Sequence, residues 1–333
     1  MIPTSLEDPT LPADLREFPG NICIGIVGGT GLLQLEDCVP IARFHPLTPW
    51  GYPSSPIVVF KNGHFYVAFL ARHGIHHQFA PHEVPSRANI AALRYLGVRT
   101  IIAFSAVGSL QEEVRPRDFI VPDQIIDRTR EIWESWIDKS CAGIGVRAST
   151  FFEQGVVGHV GFAEPFDEGL SKVVSNCAGV LAGENTQMHS KGTLICMEGP
   201  QFSTRAESNL YRAWGGTIIN MSALPEAKLA REAEIAYQMI CMATDYDCWH
   251  SSENVDVAMV MEHMTANSAN AKRLLAAVLG ELNKEVHLDL VRGTHLKGNT
   301  TGMLEFMTKP PGRSDCAIRN MQYLFPDIWR ENN

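Results

Sequence analysis

The stretch CMATDYDCW, residues 241 to 249, sets Asp245 and Asp247 two positions apart behind an apolar run. In a strand, residues i and i+2 point to the same side. A strand continuing through both would aim two carboxylates into one small volume. Like charges that close cost free energy unless something between them supplies protons. The plain alternative is structural: an Asp N-cap or an ion pair.

Four other polar side chains stand at the ends of apolar runs. Thr30 lies in the glycine turn of GIVGGTG, Arg72 follows FYVAFLA, Ser105 closes the run before AVGSL, and Ser222 follows INM. In open α/β sheets, ligands bind beyond the carboxyl ends of the strands. Hydroxyls, backbone N–H groups of a glycine turn and an Arg fork are anion donors, and together they describe a site for a free phosphate. A carboxylate would repel that phosphate, so Asp245 and Asp247 must face another part of the ligand. Magnesium is one candidate. A base with N–H groups is the other: adenine can donate its amino hydrogens to one carboxylate and share a proton at N7 with the other. The glycine turn alone is weak, since from Gly29 the series Gly29, Gly31, Gln34 breaks the dinucleotide spacing and no Lys-Ser/Thr follows. His73, His76, His77 and His82 crowd one segment, but their spacing matches no usual zinc pattern, and no metal is expected there.

Placing these residues requires particular elements. NICIGIVG, FYVAFLA, VRTIIAFS, TIIN and IAYQMICMATD read as buried strands. SRANIAALRYLG reads as a helix with Ser86 as N-cap and Gly97 at its end, and STRAESNLYRAWGG as a helix opened by a Thr204-x-x-Glu207 capping box. Residues 1–20 read as a loose arm, residues 128–160 as irregular, and residues 293–315 as an extended excursion. Continuous apolar strands alternating with helices indicate an α/β fold with a largely covered sheet.

The chain has 333 residues, within reach of one large α/β domain. At 45% hydrophobic and 20% charged it is a globular composition. A net charge of −9 argues against a broad nucleic-acid-binding surface. No apolar run reaches the ~18 residues of a membrane span. Eight scattered cysteines without a CxxC pair fit a reducing, intracellular compartment, cytoplasmic with the nucleus as a second location.

The motifs IGIVGGTGL, ARHG, SRANIAAL, SAVGSL, DQIIDRT, AEPF, EGPQFSTRAES, INMSALPEAKLAREA and MATDYDCW, in order from about Ile22 to Leu282, together resemble the 5′-methylthioadenosine phosphorylases of the trimeric purine nucleoside phosphorylase group. The resemblance implies a single α/β domain with a central mixed, partly barrel-like sheet flanked by helices. It implies phosphorolysis of 5′-methylthioadenosine to adenine and 5-methylthioribose 1-phosphate, with inorganic phosphate as co-substrate, no cofactor, and a homotrimer. Carried over, the phosphate site falls on Thr30, Arg72, His73, Ser105, Ala106 and Ser222. Phe202 and Met221 would contact base and ribose, and Asp245 and Asp247 would hold adenine. Ser203 and the helix face of Val257, Val260 and Met261 would set specificity. His77 would stand near the site, and His159 would reach a neighbouring subunit's pocket. Two segments depart from the family pattern, 131–150 and 293–315. Residues 323–326, YLFP, stand where the family's C-terminal apolar contact is expected.

Adenine leaves poorly as an anion, so the reaction needs an acid. Asp245 is expected in that role, with burial and Asp247 raising its pKa. A phosphorylase for 6-oxo purines is the nearest rival. Relatives of that kind carry Glu where Ser203 stands and Asn where Asp245 stands, which favours 6-amino purines here. An oxidoreductase would need the GxGxxG spacing that is missing. A catalytically dead binding protein would need no complete set of donors.

Overall fold

The structure is a computed structural model describing residues 11, 12, 15, 18, 20–29, 39–129, 147–183, 186–250 and 257–329, without the side chains of 257–262, 265 and 266. Its strands are β1 (Ile22–Gly28), β2 (Pro40–Phe44), β3 (Ile57–Asn62), β4 (Phe65–Ala71), β5 (Thr100–Ser109), β6 (Phe119–Ile120), β7 (Gln124–Arg128), β8 (Met188–His189), β9 (Thr193–Met197), β10 (Ile218–Asn220) and β11 (Ala236–Asp245). Its helices are α1 (Ser86–Tyr95), α2 (Glu168–Asn176), α3 (Arg205–Ala213), α4 (Ala223–Glu232), α5 (Val257–Leu282), α6 (Leu288–Val291), α7 (Asn299–Met307) and α8 (Asp315–Leu324).

Among the described residues the strands form one mixed sheet, ordered β2-β3-β4-β1-β5-β10-β9-β7, with β11 beside β5 and β6, and β8 beside β6. Side chains alternate between two cores. In β5, Ile101, Ala103 and Val107 enter one and Ile102 and Phe104 the other; in β11, Met239, Cys241 and Ala243 enter the first and Ile240 and Met242 the second. Both faces are covered, which explains why these strands read as continuous apolar runs. Each fully buried Ile or Phe contributes about 1.5–3 kcal/mol of transfer free energy.

The central strands β4, β1, β5 and β11 are parallel, so their carboxyl ends meet at one edge. There β5 is shared. It pairs with β1 as far as Ala103 and with β10 only from Gly108, while β11 follows it on the other side. The register leaves residues 104–107 without a ladder partner on the β1/β10 side, and the sheet opens at that gap.

Three local expectations need correction. Ser86 is the first helical residue of α1 rather than its cap; the cap position is Pro85, which lacks an N–H in any case. The tail after Gly293 is not extended: it forms α7, whose Leu304 is fully buried, and Thr308 bonds both backbone groups of Val157. Asn299 and Glu305 of this helix are exposed, while Thr300 is buried beside Leu304. Of the N-terminal arm, Leu15 and Phe18 pack on the core, with the Phe18 ring edge-on to Phe44 and Tyr66. The Thr204–Glu207 capping box forms as expected. Among the described residues no helix is long and apolar enough to cross a membrane.

Candidate active site

A cavity of about 490 Å³ opens at the carboxyl ends of the central strands. Arg72, directly after β4, lies at one end and is 1% exposed. Its Nε and Nη2 donate to the two carboxylate oxygens of Glu226, both at 2.8 Å, and its Nη1 donates to the Phe104 carbonyl at 2.7 Å, in the gap of the β5 ladder. Burial opposes the charge, but Glu226 more than offsets it, and the guanidinium stays firmly protonated. Three of five N–H groups are thus used inside the protein. Glu226 also accepts from the Tyr237 hydroxyl at 2.7 Å.

Beside it, Ser105 and Ser222 bring their hydroxyl oxygens within 3.1 Å across 117 residues of sequence. Asn220 at the end of β10 donates to Ser105 Oγ at 3.1 Å, and Ser105 donates to the Ala106 carbonyl at 2.9 Å. His73 donates from Nδ1 to the Phe79 carbonyl at 2.9 Å, leaving Nε2 as the acceptor of a neutral ring. Burial and then the Arg72 charge pull its pKa down to about 4. His77 stacks on it with ring centres 4.6 Å apart, and burial lowers its pKa too.

Asp245 and Asp247 line the other end, 6% and 5% exposed. The expected i, i+2 strand geometry is not how they converge. The ladder of β11 against β5 shifts between Ala243 and Asp245, setting Asp245 opposite Gly108, and the strand ends there. Such an irregularity re-aims a side chain. Asp247 then takes a left-handed backbone, φ 51°, which Asp tolerates better than most residues. That turn points its own N–H at Asp245 Oδ1, at 2.8 Å. Thr244 donates to Asp245 Oδ2 at 2.7 Å, and Ser208 on α3 donates to Asp247 Oδ2 at 2.7 Å. Desolvation raises the pKa of both carboxyls, and for Asp245 the nearby Asp247 charge adds to it. Gly108 makes room: a Cβ there would sit 3.0 Å from Asp245 Oδ1 and 3.1 Å from Ile219 Cγ2.

Ala106, Phe202, Ser203 and Met221 line the same cavity, with Phe202 half exposed at its mouth. Thr30 lies outside the described residues. So do the side chains of Val257, Val260 and Met261, although α5 does begin at Val257. His159 is not in this cavity. It is exposed beside a separate pocket lined by Phe162, Lys228 and Glu232. Phe325 and Pro326 face another cavity on the far side of the molecule, and among the described residues the YLFP segment does not line this site. Leu324 and Phe325 are instead buried in the core.

Sequence reasoning missed Glu226, Asn220, Thr244, Ser208 and His263, whose Nδ1 meets the Thr244 carbonyl. Glu226 had a usable signal. It stands among Ala223, Leu224, Ala227, Leu229 and Ala230, all buried, and a carboxylate on such a face needs a cation. Among the described residues no group of three or more His, Cys, Asp or Glu is arranged to hold a metal ion.

The sequence profile of the phosphorylase superfamily matches residues 23–280. An S-methyl-5′-thioadenosine phosphorylase of Neurospora crassa is 59% identical over 317 residues, covering 95% of this chain and 98% of its own. One of Fusarium vanettenii is 61% identical over 314 residues, 94% and 98% of the two chains. The chain belongs to the S-methyl-5′-thioadenosine phosphorylase family. Solved structures agree. A methylthioadenosine phosphorylase from an antarctic soil metagenomic library superposes with a TM-score of 0.78 at 37% identity, over 92% of this chain and 99% of that one. The Schistosoma mansoni methylthioadenosine phosphorylase in complex with adenine gives 0.74 at 30% identity, over 85% and 99%. The single α/β domain with a mixed sheet is the family's fold.

Proposed function

We propose that this phosphorylase cleaves 5′-methylthioadenosine with inorganic phosphate, yielding adenine and 5-methylthioribose 1-phosphate for purine and methionine salvage. One observation carries the assignment of ends: a single cavity holds hydroxyls and a buried guanidinium at one end and two buried carboxyls of raised pKa at the other. Phosphate lies against Ser105, Ser222, His73 and the remaining N–H groups of Arg72, with Thr30 completing the set. Adenine lies against Asp245 and Asp247, with Phe202 and Met221 along the base and ribose. The apolar start of α5, Val257, Val260 and Met261, receives the methylthio group.

In the reaction the C1′–N9 bond breaks and its electron pair stays with the base. A phosphate oxygen forms the new bond to C1′. The positive charge developing on the ribosyl group is stabilised by the phosphate held beneath it. Asp245, whose pKa burial raises, gives a proton to N7, so adenine leaves neutral. Asp247, held by Ser208, fixes Asp245 through its backbone N–H and accepts from the amino group. A 6-oxo purine would turn an acceptor toward these oxygens, which disfavours it.

Adenine release from 5′-methylthioadenosine, measured with and without phosphate, tests the reading. Turnover is expected only with phosphate; equal rates without it would make the protein a hydrolase. We further infer a homotrimer in which the exposed His159 serves a neighbour's site, as the family resemblance implies. Light scattering is expected to give three chains, and a fully active monomer contradicts shared sites. The free cysteines at 23, 177, 196, 241, 248 and 316 support a reducing compartment, the cytoplasm with the nucleus as a second location.

A further inference from the structure

At the opposite end of the same strands lies a second cavity, of about 560 Å³, under the amino ends of β1, β5 and β11. We propose that it is a second, non-catalytic site for a phosphate group borne on a small organic molecule. The proposal is independent of the phosphorolysis reading, because it uses none of the same residues.

Four cations line this cavity: Arg94, Arg99, Arg292 and Lys297. Arg94, in the last turn of α1, is 9% exposed. Its Nε donates to the Leu324 carbonyl at 3.3 Å and its guanidinium lies over the Phe325 ring, 5.1 Å from the centre. The Glu234 carboxylate is 3.9 Å from its Nη2, at the outer limit of an ion pair. Arg99 is fixed by the sheet itself: its N–H donates to the Cys23 carbonyl of β1's edge and its carbonyl accepts from Ala236 of β11, both at 2.9 Å. Its Nη1 donates to the carbonyls of Val98 at 2.8 Å and Arg94 at 3.3 Å. Arg292 and Lys297 stand exposed at the mouth.

Three carboxylates face these cations, Glu234, Glu305 and Asp327. Glu234 Oε1 is already used at the N-terminus of α7, accepting from the N–H groups of Thr300 at 2.9 Å and Thr301 at 3.2 Å. The positive end of that helix therefore adds to the cationic side of the balance. The contrast with Arg72 is direct. That guanidinium holds a carboxylate on two nitrogens at 2.8 Å, whereas among the described residues the carboxylate that Arg94 meets is Glu234, at 3.9 Å. Burial and then repulsion from Arg99 pull the Arg94 pKa down to about 9, and burial lowers that of Arg99. The repulsion between Arg94 and Arg99 marks a concentration of positive charge at this end of the sheet.

A phosphate group suits this arrangement, because its tetrahedral oxygens can accept from two guanidinium forks and an ammonium at once. The cavity is larger than the anion alone requires, and Phe325, Pro326 and Ile328 form an apolar wall for an organic body. The rim is built by the tail segment that departs from the family pattern. Gly293, φ 60°, packs so closely that a Cβ would lie 3.0 Å from the Arg99 carbonyl, which seats Arg292 and Lys297 over the opening.

Calorimetric titration of the intact protein with ribose 5-phosphate, and separately with inorganic phosphate, tests this. Arg292→Gln/Lys297→Gln, at exposed positions, is expected to weaken ribose 5-phosphate binding about 10-fold or more, by loss of two charge-assisted contacts. It should leave turnover unchanged. Ser222→Ala, in the other cavity, should leave ribose 5-phosphate binding at this site unchanged. Binding that is insensitive to the double substitution, or abolished by Ser222→Ala, overturns the proposal. Inorganic phosphate binding that is lost in Arg292→Gln/Lys297→Gln, with an affinity equal to that of ribose 5-phosphate, overturns it as well, since the organic body would then contribute nothing at this site. None of these readings depends on turnover of 5′-methylthioadenosine, so failure of that assignment would be seen separately.

Discussion

At the end of the cavity proposed for phosphate, the charge of Arg72 is balanced inside the protein by Glu226, and the groups around it are hydroxyls and an imidazole that burial holds neutral. At the end proposed for the base, Asp245 and Asp247 are held by neutral donors: the hydroxyls of Thr244 and Ser208 and the backbone N–H of Asp247. One end offers a rigid, nearly neutral cradle that can accept an anion without quenching its nucleophilicity. The other keeps buried acid strength that only a proton-accepting base can use. The opposition matters because catalysis here needs a phosphate that remains negative and a base that becomes neutral.

Breaking the balance at the phosphate end should have the largest effect. Arg72→Ala leaves Glu226 buried without its cation, and loss of one partner of a buried pair costs about 3–5 kcal/mol. The expected outcome is a large fall in Tm along with loss of phosphate binding, and partial recovery of Tm in Arg72→Ala/Glu226→Ala. A wild-type Tm in the single variant would show that the two ends do not differ as described.

Asp245→Asn acts on the other end and should spare stability. The amide keeps the size of the group and can donate to N7, but it has no acidic proton. A drop of about 10²-fold or more in kcat is expected, with KM for 5′-methylthioadenosine little changed. The variant should also accept 5′-methylthioinosine better than the wild type does, because an amide can donate to O6. Steady-state kinetics with both nucleosides decides this; unchanged rate and unchanged 6-amino preference would sink the role of Asp245.

Gly108→Ala sharpens the comparison with a smaller change. The added methyl would press on Asp245 Oδ1 and Ile219 but lies away from Ser222 and Arg72. About a 10-fold rise in KM for the nucleoside is expected, since misplacing a contact by a few tenths of an ångström costs roughly 1–2 kcal/mol. The KM for phosphate should stay within about 2-fold. Equal rises in both constants would mean that the two ends are mechanically one unit.

Continuous apolar runs were enough to find β1, β4, β5, β10 and β11, and Arg72, Ser105, Ser222 and Asp245, at the ends of four of them, meet in the cavity. The pairing of Thr204 with Glu207 was legible because a capping box spans only four residues. The convergence of Asp245 and Asp247 was legible as well, though for a different reason than strand alternation: the chain turns left-handed at Asp247. The helical tail was misread because its Gly, Thr and Pro content carries a weak helix signal, while Leu304 and the Thr308–Val157 bonds stabilise α7 through contacts with a remote segment.

By itself the sequence determined which side chains stand at strand ends, since burial on both faces of a sheet writes itself locally as unbroken apolar runs. Only the tertiary structure decided which of those ends meet which. Arg72 finds Glu226 across 154 positions, Ser105 finds Ser222 across 117, and Asp247 finds Ser208 across 39. Such pairings depend on the register of β11 and β10 against β5 and on the gap that register opens in the ladder. Register is set by the packing of whole strands and helices on one another, and no local period in the chain encodes it.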